Sequence, residues 1–124
     1  MTLSPDEPSL GPGCSVENSQ IGRYVRLADG TRLAHSTFGD YSYTDRFCDI
    51  ANARIGKFVN IASYVRIGPT DHPMERASQH HMLYRCASYW PEEPDHAPFF
   101  AHRRARIAEV GHDAWLGHNV VIRP

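Results

Sequence analysis

The sequence predicts an all-β chain wound as a parallel β-helix and interrupted once by a long loop insertion. Three observations carry that prediction. The pairs Ile21-Gly22, Phe38-Gly39 and Ile55-Gly56 recur at a constant spacing of 17 residues. In each unit the positions six and twelve residues further on hold Leu27 and Leu33, then Thr44 and Ile50, then Ile61 and Ile67. Only Thr44 among them is not strongly apolar. Four residues after each leading aliphatic, or three in the short step, stands a small or β-branched residue such as Val25, Thr31, Ser36, Ser42, Cys48, Ala53, Val59 or Val65. A short strand and a sharp bend every ~6 residues closes into a three-sided coil, with aliphatic stacked on aliphatic and a second inward slot that admits only small groups.

Taken in order, the coils are expected from about residue 4 to residue 71 and again over 110–124. One period before Ile21 and Gly22, Leu10 and Val16 fit the pattern and Ser4 does not, so the first coil should fray. Each unit comprises two six-residue steps and one of five. Cys14 and Cys48 fall in small inward slots, which makes them packing groups rather than redox or metal centres. After Ile67 the next aliphatic is due at position 72, yet the pattern returns only at Val110-Gly111, followed by Leu116-Gly117 and Ile122. The segment 72–109 is therefore an insertion. Pro73 stiffens the departure from the coil just after Asp71. Ile122-Arg123-Pro124 opens a step and leaves it unfinished, so about five coils of a C-terminally truncated solenoid are expected.

Composition bounds what such a chain does. With 124 residues, 41% hydrophobic and 22% charged, it has room for one domain and the make-up of a soluble one. No apolar run approaches the ~18 residues of a membrane span. Thirteen Lys and Arg against fourteen Asp and Glu leave a net charge of −1, which gives no reason to expect nucleic acid. Three cysteines without a Cys-x-x-Cys pair suit a reduced cytoplasm. Nothing in the first ten residues marks export.

A loop this long in a small domain is usually functional or disordered. It contains His72, His80, His81, His96 and His102, the aromatics Tyr84, Tyr89, Trp90, Phe99 and Phe100, and the basic residues Arg103, Arg104 and Arg106. It is expected to hide apolar surface against a neighbouring subunit and to carry a polar site at its base. The arginines read as a solvated basic segment, and Cys86 lacks a paired base.

The steps of aliphatic-Gly-x-x-small-x over Leu10 to Ile67 resemble the hexapeptide-repeat acyltransferases. The phrasing from Asp71-His72-Pro73-Met74 through His80-His81 and Phe99-Phe100 to Val110-Gly111-His112-Asp113-Ala114-Trp115-Leu116-Gly117-His118-Asn119 resembles their xenobiotic acetyltransferase branch, and most of all the transferases found with phosphonate-utilisation genes. The resemblance implies a left-handed coil, a homotrimer, acetyl-CoA as cosubstrate and a small-molecule acceptor. It implies His72 as the general base and Trp115 as an aromatic near the coenzyme, although Trp115 fits a subunit interface equally well.

The chemistry asks for such a histidine. A thioester is already activated, so the catalyst has to bring acceptor and thioester together and take a proton from the attacking hydroxyl or amine. Asp71 or Glu75 is expected to orient the imidazole. Two other readings stand beside this one. The fold also supports zinc-dependent γ-type carbonic anhydrases, which makes His80, His81, His112 and His118 candidate ligands. His112 and His118 sit in successive steps and project from different faces, so they cannot chelate one ion within a subunit. No metal is assigned. The third reading is a non-catalytic trimeric scaffold.

Overall fold

A computed structural model describes residues 1–124 and divides them into two compact units, Met1–Pro69 with Ile107–Pro124, and Thr70–Arg106. The first unit is a parallel β-helix. Its first coil comprises β1 (Ser9–Leu10), β2 (Ser15–Glu17) and β3 (Gln20–Ile21). The second has β4 (Arg26–Leu27), β5 (Arg32–Ala34) and β6 (Thr37–Phe38), and the third β7 (Tyr43–Thr44), β8 (Asp49–Ala51) and β9 (Ala53–Ile55). The fourth begins with β10 (Asn60–Ile61) and β11 (Arg66–Ile67). It is completed after the insertion by β12 (Ala108–Val110), and β13 (Trp115–Leu116) and β14 (Val121–Ile122) follow. No helix is long and apolar enough to cross a membrane.

Every strand pairs in parallel with the equivalent strand one coil away, giving sheets ordered β1-β4-β7-β10-β13, β2-β5-β8-β11-β14 and β3-β6-β9-β12. The register is the sequence period made physical. Leu33 lies beside Ile50 and Ile50 beside Ile67, and after the insertion Val110 still meets Ile55 and Leu116 meets Ile61. The inserted segment therefore leaves the stack undisturbed.

Leu27, Leu33, Ile50, Ile61 and Ile67 are fully buried, and the second inward slots hold buried Val25, Thr31, Ser36, Ser42, Cys48, Ala53, Val59 and Val65. The polar groups among them are satisfied by backbone. Ser42 Oγ donates to the Gly56 carbonyl at 2.7 Å and accepts from the Val59 amide at 3.0 Å. Thr44, the exception in the aliphatic column, is buried with its Oγ1 3.2 Å from that of Thr31 and 3.3 Å from the Ala28 amide it accepts from. A buried hydroxyl costs little when paired in this way. Cys48 is buried against the Ala62 carbonyl, and that burial pushes its thiol above the usual range. Less thiolate means less reactivity, as its packing role requires. The first coil does not fray, since β1, β2 and β3 pair in register with β4, β5 and β6, although Leu10 and Val16 stay exposed.

The corners hold what the period did not reveal. Each coil turns through residues at positive φ, and five of these are aromatic: Tyr24, Tyr41 and Phe58 on one corner, Phe47 and Tyr64 on the next, all between 55° and 62°. A side chain there costs ~1–2 kcal/mol. Stacking between coils offsets it, because Tyr24 lies 5.0 Å from Tyr41, Tyr41 lies 5.0 Å from Phe58, and Phe47 lies 5.7 Å from Tyr64. Tyr41→Ala removes two stacks worth about 0.5–1.5 kcal/mol each and is expected to lower stability by about 1–3 kcal/mol in urea unfolding. Tyr41→Gly loses the same stacks without the left-handed strain and should cost less.

The second unit is not an irregular loop. It contains 3-10 turns at His81–Leu83 and Cys86–Ser88 and the helix α1 (Ala97–Ala105). The imidazole of His96 caps α1 by accepting from the Phe99 amide, Pro98 sits in its first turn, and His102, Arg103 and Arg104 lie in its last, where cations favour the helix dipole.

Candidate active site in the inserted unit

The insertion folds around Tyr84 and Phe99. Tyr84 is only 1% exposed, and its ring centroid lies 4.5 Å from that of Phe99 and 5.7 Å from that of Phe100. These aromatics were expected to cover a neighbouring subunit. Instead they form the unit's own core, and only Tyr89 and Trp90 are left as large exposed apolar groups among the five. The reason is local: His96 N donates to the Tyr84 carbonyl at 2.9 Å, which draws the start of α1 back over the 3-10 turns.

His72 is exposed at the edge of this core, its ring edge-on to Tyr84 at 5.9 Å. Its Nδ1 lies 2.8 Å from the carbonyl oxygen of Gln79 and 3.3 Å from the Tyr84 hydroxyl. A carbonyl only accepts, so Nδ1 carries the proton. Nε2 is left with its lone pair in the ring plane, directed away from those contacts. This is the geometry of an oriented base.

The expected orienting carboxylates take no part in it. Asp71 is turned to Arg106 in a close ion pair, while its carbonyl accepts from Nε of Arg103 at 3.1 Å and from Nη2 of the same residue. Nor do the arginines form a solvated run. The Arg103 guanidinium lies 4.6 Å from the Tyr84 ring centroid and 4.8 Å from that of Phe99, and Nη2 donates to the Tyr84 hydroxyl at 2.9 Å. A flat cation on aromatic faces replaces part of its hydration with ring quadrupole, which lets Arg103 sit half-buried. Arg104 stays exposed. Tyr84 and Arg103 are thus the site residues that sequence reasoning assigned elsewhere, Tyr84 to an interface and Arg103 to solvent.

The remaining histidines have structural work. His80 Nδ1 accepts from the Met82 amide at 3.1 Å, and His81 Nε2 lies 2.6 Å from the Tyr89 hydroxyl. In the coil unit, His112 Nδ1 accepts from the Lys57 amide at 2.8 Å and His118 Nδ1 from the Ser63 amide at 3.1 Å. These two histidines cap separate corners of the coil, before and after β13, and Asp40 caps the Arg23 amide at the same corner as His112, two coils down. That amide, with Lys57 beside it, holds the Asp40 carboxyl below the usual range. No three His, Cys, Asp or Glu side chains converge as a metal's ligand set would.

Two further features belong to the coil unit. Trp115 is 81% exposed on the outer face of β13, beside Asn60. An open groove of about 550 Å³ runs along the corner formed by Asn18, His35 and Asn52, with Gln20, Thr37 and Arg54 on its wall. His35 is held there by the Asn18 amide at 2.9 Å. No family model, curated protein or solved structure matches the chain.

Proposed function

We propose that the chain is a coenzyme A-dependent acyltransferase that moves an acyl group, acetyl in the first instance, to a hydroxyl or amine of a small molecule. The observation that carries this reading is the Nδ1–H of His72 committed to the Gln79 carbonyl at 2.8 Å, with Nε2 left as acceptor on an exposed edge. In the reaction Nε2 takes the proton of the acceptor as its oxygen or nitrogen attacks the thioester carbonyl. The tetrahedral oxyanion collapses, the C–S bond breaks, and the coenzyme thiolate leaves and regains that proton from the imidazolium. Acyl transfer of this kind needs no covalent enzyme intermediate. A base so placed contributes ~10²–10⁴-fold.

The repeat pattern and its resemblance to hexapeptide-repeat transferases support the same reading, including a left-handed coil and a homotrimer. Self-association also has a surface to use. The sheet β1-β4-β7-β10-β13 turns Tyr43 and Trp115 outward between the two aromatic ladders, and Tyr41, Tyr43, Phe47, Phe58, Tyr64 and Trp115 all remain exposed in the single chain. Trp115 then serves as a flat apolar contact for either the coenzyme or a neighbouring subunit. The zinc reading has less support, since His112 and His118 each spend one ring nitrogen on a backbone amide at a different corner.

Incubating the purified protein with acetyl-CoA and a panel of small hydroxyl and amine acceptors, and following free coenzyme thiol, tests the proposal. Acceptor-dependent thiol release is expected. About one zinc per chain without transfer would replace the proposal with the carbonic anhydrase-like reading, and neither zinc nor transfer would leave the scaffold.

A further inference from the structure

We infer that the outer face of the sheet β1-β4-β7-β10-β13, with the two corners that bound it, is the surface on which a second copy of this chain docks. The inference rests on the self-association proposed above, not on acyl transfer. It adds the face that is used and the part Trp115 plays there.

The three faces of the coil are alike in backbone and unlike in chemistry. On the sheet of β2, β5, β8, β11 and β14 the outward column sets Asp49 between Arg32 and Arg66, at 3.1 and 3.0 Å. On the sheet of β3, β6, β9 and β12 it runs Gln20, Thr37, Arg54 and Glu109, the last two paired at 3.1 Å. Both ladders pair opposite charges within the chain, which suits a face left in water. The remaining column runs Ser9, Arg26, Tyr43, Asn60 and Trp115, and its one charge lies toward the first coil.

The corners divide in the same way. Between the two polar faces the chain turns through Asn18, His35 and Asn52 at positive φ, residue types that tolerate the left-handed region. The corners bounding the third face place Tyr24, Tyr41 and Phe58 on one side and Phe47 and Tyr64 on the other, against that preference. Stacking accounts for the ring faces that meet between coils but not for the edges turned outward. Tyr41, Phe47, Phe58 and Tyr64 stay 50–54% exposed, Tyr43 between them 42%, and Trp115 81%. At ~200 Å² per aromatic side chain these fractions amount to roughly 650 Å². That exceeds the ~300–600 Å² of the largest patch on a typical monomer and approaches the ~800 Å² each partner contributes to a stable interface.

A second copy fits this face because the face carries both halves of a contact at matching heights. Tyr41 and Phe47 flank β7, and Phe58 and Tyr64 flank β10. Rotation about an axis parallel to the coil preserves those heights and brings one copy's Tyr41–Phe58 border to its neighbour's Phe47–Tyr64 border. Trp115 then passes from water into protein, the setting in which tryptophan anchors an interface.

Trp90→Phe leaves Trp115 as the only tryptophan, so its fluorescence reports on this face. Sedimentation of that protein is expected to show an oligomer, and acrylamide should quench Trp115 several-fold less than free tryptophan. Tyr43→Arg, placed outward on β7, should raise the dissociation constant at least ~10-fold and restore quenching where the protein is dissociated. Phe47→Asn puts a residue suited to the left-handed corner in place of the ring and should act in the same direction. Thr37→Arg on a polar face should change neither reading, and circular dichroism checks that each variant is folded. An oligomer whose Trp115 is quenched like free tryptophan would overturn the docking face and leave self-association standing. A monomer at ~100 μM would overturn both.

Discussion

His72→Ala is expected to lower acyl transfer about 10²–10⁴-fold while leaving the fold intact. The size follows from what is removed. Alanine deletes the only group in the inserted unit whose ring nitrogen is held by a main-chain carbonyl on one side and left open on the other. The substrates would still be gathered, so the residual rate should exceed that in water. His72 is exposed and lies beside the Tyr84–Phe99 core rather than within it, so unfolding by urea should change by less than ~1 kcal/mol. Rates measured as release of coenzyme thiol, with the variant's circular dichroism as control, check both halves. Unchanged transfer in a folded variant would remove His72 from the chemistry. His80→Ala and His81→Ala are the useful contrasts, because their rings pack on each other and on Tyr89 and their bonded nitrogens serve the Met82 amide and the Tyr89 hydroxyl, so they should matter to local structure rather than to the rate.

Ile50→Ala is expected to cost about 2–5 kcal/mol, the range for truncating a buried aliphatic in a core that cannot collapse. Ile50 is wholly buried between Leu33 one coil below and Ile67 one coil above. Backbone ladders fix the distance between coils, so the strands cannot close on the vacated space. Against a typical total of ~5–15 kcal/mol this is a large fraction. Val16→Ala sits in the same column of the first coil, is 39% exposed, and should cost under ~1 kcal/mol. Urea unfolding at one fixed protein concentration tests the pair, since association would raise apparent stability by mass action. Equal losses at the two positions would contradict the stacked core.

These two residues also mark how much the amino-acid sequence disclosed. Ile50 was legible because inward positions recur in steps of six, six and five residues and the coil favours an aliphatic at each. Even Thr44 could be placed by the period alone, although its pairing with Thr31 could not. The corner aromatics were a missed signal. Tyr24, Tyr41 and Phe58 are themselves spaced by 17 residues, as are Phe47 and Tyr64, but a left-handed corner ordinarily takes Gly or Asn and the rings make sense only once stacked. Inside the insertion no repeat constrains the chain. His72 stood out by its place at the break, whereas Tyr84 and Arg103 meet it only through the tertiary fold of that unit. Helix α1 carried readable marks in Pro98 and the basic last turn, yet its short Phe99-Phe100 run shows no helical spacing of apolar residues.

Titrating coenzyme A into the purified native protein by calorimetry addresses the proposed activity most directly, because every competing reading lacks a coenzyme site. Saturable binding in the ~1 μM–1 mM range usual for enzyme substrates is expected, and it should weaken in Trp115→Ala if that face holds the coenzyme. No binding up to ~1 mM by a folded, assembled protein would contradict the acyltransferase proposal.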